Sequence, residues 1–282
     1  MRRPRRQRRK TQSFDAMIPN ILTTFAVCAG LTALRFALEG RFEAAVEALF
    51  VAAVLDAFDG RIARMLNQTS SFGAQLDSLS DFLSFGIVPA VMLYIWSLNG
   101  LGLAGWALAL VLAVCCALRL ARFNVGAMER PASPELQKFF TGVPSPAGAG
   151  LVLAPLVISF YAPADIAAFF SSPITVGFFV VAVSALMVSQ LPTFSLKMVR
   201  VPHRYRLPTM LGVAIFAAAV VSAPWPSLSA VLAVYLATLP FGWLSYQRLR
   251  QRLAASAPTE PAEADASGSE PIPLSIVENG RK

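Results

Sequence analysis

Histidine and cysteine, which often carry catalysis or bind metals, are scarce in this chain of 282 residues. The sequence contains one histidine, His203, and three cysteines, Cys28, Cys115 and Cys116. The cysteines lie in apolar stretches without the spacing of a metal site or of a disulfide framework, so we interpret them as packing residues. His203 lies in an arginine-rich loop, where a solvated side chain is the simpler interpretation. A catalytic triad built on histidine is therefore not expected.

Charge is also scarce, and this points to a membrane. Only 14% of the residues are charged and 56% are hydrophobic, which is too apolar for an ordinary water-soluble domain. Several stretches approach the roughly 20 apolar residues that cross a bilayer as a helix. We predict an all-α, polytopic membrane helical bundle with about eight spans. The predicted spans are about 17–38, 43–65, 74–97, 101–122, 146–162, 174–192, 208–222 and 227–246.

The net charge of +8 is distributed unevenly along the chain. Seven Lys or Arg residues lie in the stretch 2–10. If the chain crosses the membrane eight times, the basic loops lie on the same side of the membrane as this arm. The opposite side then has only Arg35 and Arg41. The positive-inside rule then places both termini in the cytoplasm. A basic arm can bind nucleic acid, but a span follows this one at once. We interpret it as a topology signal that also contacts anionic membrane lipids, with no nucleic-acid partner.

Four aspartates lie where two predicted spans meet. Asp56 and Asp59 end one span, and Asp77 and Asp81 begin the next. Their spacings of three and four place each pair on one helix face, and a short turn would let all four carboxylates converge. Like charges about 4 Å apart cost roughly 4 kcal/mol per pair at an effective dielectric of 20. The cluster therefore requires compensating cations.

Two divalent cations would balance four carboxylates, and oxygen ligands without histidine or cysteine favour Mg²⁺ or Mn²⁺. Such two-metal centres serve in-line displacement at phosphorus. The surrounding residues agree, since Gly60 and Gly73 permit close approach of a ligand to the backbone and Arg64 offers a planar donor fork to phosphate. Metal-dependent phosphoryl transfer is thus the favoured hypothesis.

Two alternatives remain open at this point. The aspartates could pair with Arg61 and Arg64 to tie two helix ends together, or they could line an ion or proton pathway. Pairing with two arginines would leave two carboxylates over, and a conduction path would not require glycines at fixed offsets.

The complete pattern, D-x2-D-G-x2-A-R-x8-G-x3-D-x3-D from Asp56 to Asp81, resembles the signature of the CDP-alcohol phosphotransferases. These integral membrane enzymes exchange the CMP of a CDP-activated lipid for an alcohol. The stretch PNILTT at 19–24 is similar to the start of the family's first helix. Three further stretches, RLARFN at 119–124, GVPSPA at 142–147 and FSLK at 194–197, resemble the phosphatidylserine synthase branch.

The resemblance, which covers about 17–245, implies a reaction and, together with the composition of the two ends, a division of the chain. A basic cytoplasmic arm (1–16) would precede the family core (17–192), followed by a cytoplasmic loop with two additional membrane helices (193–247) and a disordered tail (248–282). The implied reaction transfers the phosphatidyl group of CDP-diacylglycerol to L-serine. The same chemistry with glycerol 3-phosphate, inositol phosphate or choline is the main alternative, and an ion or proton transporter is a further one. A homodimer in the cytoplasmic membrane is also implied.

The resemblance further implies roles for individual residues. Asp56, Asp59, Asp77 and Asp81 would bind the two cations, and Asp81 would also act as the general base. The residues implied in binding CDP are Asn20, Thr23, Asp56, Gly60, Arg64, Ser70 and Gly73.

Serine brings a carboxylate and an ammonium group into the site, unlike glycerol 3-phosphate or inositol phosphate. We predict that Arg119, Arg122 and Asn124 bind serine, with the alternative that the arginines only set topology and bind lipid phosphates. Ser145, between two prolines, is interpreted as a turn residue in preference to a substrate contact.

Overall fold

A computed structural model of the chain describes residues 17–66, 70–128, 139–189, 192–194 and 206–238. Ten helices account for most of these residues. They are α1 (Ile18–Leu38), α2 (Phe42–Met65), α3 (Ser71–Phe82), α4 (Val88–Trp96), α5 (Leu103–Met128), α6 (Ser145–Ser159), α7 (Ala164–Ser171), α8 (Pro173–Val188), α9 (Arg206–Ser222) and α10, which is helical over 224–238. The predicted arm and tail, the loop with His203 and most of the FSLK stretch lie outside the described residues.

The prediction of an all-α membrane bundle is confirmed. By length and composition, three helical stretches can cross a membrane, Ile18–Leu38, Ser71–Trp96 and Leu103–Val125, and the bent pair α7 and α8 can supply a fourth. Helix α2 carries six charged residues, and α6 and α9 are shorter apolar helices. Each of the eight predicted spans overlaps helical structure in the described part of the chain, while the number that cross the membrane stays a prediction.

Two breaks were not predicted. Helix α7 was left unassigned by the sequence, and it meets α8 at an angle of 58° instead of continuing it. Inside the predicted span 74–97, a π-helical turn (Leu83–Ile87) separates α3 from α4. Pro89 explains the turn, because it has no amide hydrogen to donate and its ring crowds the carbonyl of Phe85. Such turns often occur next to functional sites.

Small residues bring α1 against α2. The helices are joined by a tight turn at Gly40, whose φ of 74° favours glycine. Buried alanines, among them Ala33 and Ala37 on α1 and Ala45 on α2, let the backbones approach closely, as at many membrane helix interfaces. Helix α1 also contacts the π-helical turn, because a Cβ on Gly30 would lie 2.8 Å from the Ser84 hydroxyl. These contacts hold the second half of α1 beside α2 and the π-helical turn.

The rest of the core lies between α4, α5, α6 and α8. Leu112, Val152, Leu156 and Val180 are fully or almost fully buried there. A short antiparallel pair, β1 (Phe139–Thr141) and β2 (Pro192–Phe194), joins the segments before α6 and after α8, with Phe140 opposite Thr193. This pair leaves the all-α class unchanged.

Candidate active site

The four aspartates converge where α2 ends and α3 begins. One carboxylate oxygen from each of Asp56, Asp59 and Asp77 lies within 4.8 Å of the others, close enough to share a metal ion. Asp81 is one turn further along α3 and interacts electrostatically with Asp56. The helical spacing of three and four residues thus brings all four acids to one place.

The donor atoms fit a cation. Among the described residues, Asp56, Asp59 and Asp81 each have a buried Oδ1 without a hydrogen-bond partner. Leaving a charged oxygen buried and unpaired is costly. A hard divalent cation would satisfy these oxygens, and the set contains no nitrogen or sulfur ligand that would favour a softer metal.

Arginine pairing does not explain the cluster. Within the described ranges, the salt bridges are those of Glu39 with Arg35 (2.8 Å) and Arg41 (3.4 Å). Arg64 donates from Nε to the carbonyl oxygen of Gly60 at 2.9 Å. The hypothesis that the acids merely tie two helix ends together through arginine lacks the contacts it requires.

Helix α1 positions the metal-ligand candidate Asp59. The buried Thr23 hydroxyl forms a short hydrogen bond to Asp59 Oδ2 and lies 3.0 Å from the carbonyl oxygen of Pro19. Thr23 was predicted to bind CDP, and its hydroxyl is bonded to the aspartate. It nevertheless lines the adjacent cavity.

A cavity of about 180 Å³ opens beside the aspartates. Asp59 and Asp77 line it, together with five of the residues predicted to bind CDP, namely Asn20, Thr23, Gly60, Ser70 and Gly73. The other two, Asp56 and Arg64, are not among its lining residues. The cavity therefore connects most of the predicted nucleotide-binding residues with two of the predicted metal ligands.

The two signature glycines serve different purposes. A Cβ on Gly73 would lie 2.8 Å from Asn20 Oδ1 and 3.1 Å from Ser70 Oγ, so glycine lets α1 and α3 approach. A Cβ on Gly60 would meet nothing within 4 Å and would project into open space. Because Gly60 lines the cavity, its missing side chain leaves room for a ligand.

Ser70 caps the N-terminus of α3. Its Oγ accepts a hydrogen bond from the backbone N–H of Gly73 at 3.0 Å. The hydroxyl hydrogen remains available to donate, since a serine hydroxyl both donates and accepts. The first turn of α3 also lies at the cavity, and helix N-termini favour anionic groups such as phosphate.

Of the residues predicted to bind serine, Arg119 is the one for which the described structure shows an electrostatic interaction with an aspartate of the cluster. It is partly buried on α5, donates from Nη1 to Ser145 Oγ, and interacts electrostatically with Asp81. Ser145 is fully buried and is the first residue of α6. Its hydroxyl accepts the hydrogen bond from Arg119 and so helps to position that side chain.

Arg122 and Asn124 have other contacts. Arg122 is exposed and donates to the carbonyl oxygen of Val188 at 3.4 Å. Asn124 donates from Nδ2 to Ser78 Oγ at 3.0 Å. These side chains connect the end of α5 with α8 and α3.

Sequence reasoning missed Tyr235. Its hydroxyl is buried on α10 and the phenol interacts electrostatically with Arg119. A tyrosine in an apolar helix is a signal in itself, because a buried phenol needs a hydrogen-bond partner. The sequence could not indicate that the Tyr235 phenol interacts with Arg119.

Comparison with known proteins places these features in context. The sequence model described as CDP-alcohol phosphatidyltransferase matches residues 16–244. CDP-diacylglycerol–serine O-phosphatidyltransferase of Mycobacterium leprae is 38% identical over 225 residues, covering 80% of this chain and 74% of the relative. The enzyme of that name from Helicobacter pylori is 30% identical over 232 residues, covering 81% and 91%. Archaetidylserine synthase of Methanothermobacter thermautotrophicus is 31% identical over 185 residues, covering 65% and 71%.

Proposed function

The chain belongs to the CDP-alcohol phosphatidyltransferase family, and we propose that it transfers the phosphatidyl group of CDP-diacylglycerol to L-serine, releasing phosphatidylserine and CMP. The observation that carries the reaction type is the carboxylate cluster of α2 and α3 beside a cavity lined by the signature glycines. The names of relatives that match most of this chain support serine as the acceptor.

The aspartates hold two divalent cations, Mg²⁺ or Mn²⁺, in this proposal. Asp56, Asp59, Asp77 and Asp81 are the ligands, and three of them already bring oxygens within 4.8 Å of one another. Bound cations would supply positive charge for the diphosphate and for the departing CMP.

The cavity receives the CDP part of the donor. Asn20, Gly60 and Gly73 lie against the nucleotide, while Ser70 donates its hydroxyl hydrogen to the diphosphate at the N-terminus of α3. Arg64, which is exposed, donates from Nε to the carbonyl of Gly60 and keeps its Nη groups for phosphate oxygen. Thr23 acts mainly through Asp59.

Asp81 is the general base. It accepts the proton of the serine hydroxyl as the serine oxygen bonds to the phosphorus that carries diacylglycerol, and the bond from that phosphorus to CMP breaks. Arg119 binds the serine carboxylate on the side of Asp81 that faces α5. Arg122 and Asn124 contribute by holding the end of α5 in place.

Topology and assembly follow the same proposal. The site lies at the membrane surface, because cytidine and serine are water-soluble while the acyl chains stay in the bilayer. It faces the cytoplasm with both termini, because the basic residues are concentrated on that side. The family core covers 17–192 and two additional helices follow within 193–247, of which α10 packs against α6. The enzyme acts as a homodimer in the cytoplasmic membrane, with each site formed within one protomer.

One assay tests the function directly. Purified protein with Mg²⁺ is given CDP-diacylglycerol and one alcohol at a time, and CMP release is measured. We expect release with L-serine and little with glycerol 3-phosphate, inositol phosphate or choline. Release with another alcohol but not with serine would assign a different acceptor.

The role of Asp81 is tested in the same assay. Asp81→Asn should lower kcat by about 10²- to 10⁴-fold, the range of general-base contributions. Wild-type turnover in this variant would remove Asp81 from the mechanism.

A further inference from the structure

Two hydrogen-bond donors near the aspartates have no partner in the part of the chain that the structure describes. Both the hydroxyl of Tyr235 on α10 and Nε of Arg119 on α5 are buried. The phenol and the guanidinium interact electrostatically, and Arg119 interacts with Asp81 as well. Unpaired buried donors cost free energy, so a ligand that accepts from both would be favoured between them.

The position of Tyr235 is set by the packing of α10 on α6. Trp225 stacks edge to face on Phe160 with ring centroids 4.9 Å apart, at the end of α6. Further along, Leu232 fills the space left by Gly150, where a Cβ would lie 2.8 Å from Leu232 Cδ2. The two helices therefore run antiparallel.

Tyr235 lies three residues beyond Leu232, about 4.5 Å further along the axis of α10. Because the helices run antiparallel, this displacement is toward the start of α6. That start is Ser145, which holds Arg119. The phenol thus reaches the level of Arg119 as a result of fixed helix packing.

The chemistry of the two donors selects their ligand. A guanidinium N–H and a phenol O–H can only be satisfied together by a group with acceptor oxygens, and a carboxylate provides two with a negative charge. Serine carries a carboxylate next to its reacting hydroxymethyl group. Asp81, the proposed base for that hydroxyl, interacts electrostatically with the same guanidinium.

We propose that the Tyr235 hydroxyl is a specificity-determining group that binds the acceptor carboxylate together with Arg119 Nε, so that α10 forms part of the acceptor site. This inference rests on the proposed function and extends the acceptor site from the core to the additional helices.

The test is Tyr235→Phe, which removes one oxygen and keeps the ring that packs α10. The matched control is Tyr161→Phe, the same change at a tyrosine that is 45% exposed after α6. CMP release is measured against serine concentration and, separately, against CDP-diacylglycerol concentration. We expect the KM for serine to rise about tenfold in Tyr235→Phe, as for the loss of a hydrogen bond to a charged group. The KM for CDP-diacylglycerol and the kinetics of Tyr161→Phe should not change.

A second acceptor separates recognition from a structural effect. L-serinamide keeps the hydroxyl and the amine but has no negative charge, so the preference of the wild type for serine over serinamide should shrink about tenfold in Tyr235→Phe. An unchanged serine KM, an equal loss with both acceptors, or inactivity with both would overturn the inference. Failure of the proposed function is distinguishable, because the wild type would then release no CMP with serine.

Discussion

The substitution Gly60→Ala should affect the stability of the fold and the binding of the ligand in opposite ways. Gly60 lies inside α2, where alanine is favoured over glycine by about 0.5–1 kcal/mol. An added Cβ meets no protein atom within 4 Å. We therefore expect the free energy of unfolding to rise by about that amount.

The same methyl group would enter the cavity beside Asp59. Overpacking of a fitted space costs about 1–3 kcal/mol, which corresponds to about a five- to 150-fold rise in the KM for CDP-diacylglycerol. Gly60→Ala should thus give a protein that is more stable and yet a poorer enzyme.

Gly212→Ala is the matched control. Gly212 lies inside α9, and a Cβ there also meets nothing within 4 Å. Thermal unfolding in detergent and steady-state CMP release are measured on both variants. The control should gain stability with unchanged kinetics. If Gly60→Ala retained the wild-type KM for CDP-diacylglycerol, the donor would not lie against this part of α2.

Three further predictions concern the cations and the acceptor. Removal of divalent cations with a chelator should abolish CMP release, and added Mg²⁺ or Mn²⁺ should restore it; full activity in excess chelator would refute the metal site. Thr23→Val removes the hydrogen bond to Asp59. The Mg²⁺ concentration for half-maximal activity should therefore rise about 10- to 100-fold. An unchanged Mg²⁺ dependence would show that this bond does not position Asp59 as a metal ligand. Arg119→Ala should raise the KM for serine by about tenfold or more, whereas Arg122→Ala should leave it unchanged; a rise only in the second variant would reverse the assignment.

Local spacing made the aspartate cluster predictable. Residues three or four apart share a helix face whatever the rest of the protein does, so Asp56 with Asp59 and Asp77 with Asp81 had to point together. The short connection between α2 and α3 then left few ways to keep the two faces apart. The apolar runs likewise predicted the helices, because a bilayer leaves the backbone few alternatives.

Long-range packing made the rest unpredictable. Arg119 and Arg122 are also three residues apart, but which of them faces Asp81 depends on Ser145 and on the end of α8, far away in the sequence. Tyr235 reaches the site only through the packing of α10 on α6. The role of Gly60 likewise depends on the empty space next to it, which a sequence does not display.

The π-helical turn at Leu83–Ile87 gives the third predicted span two independent halves. Such a turn holds one residue more than the α-helix it interrupts, and one residue rotates an α-helix by about 100°. The face that presents Asp77 and Asp81 is therefore out of phase with the face of α4 that packs in the core. A residue inserted or deleted within the turn should therefore be absorbed there, with the aspartates kept in place. A gain or loss between Asp77 and Asp81 would rotate one carboxylate out of the cluster.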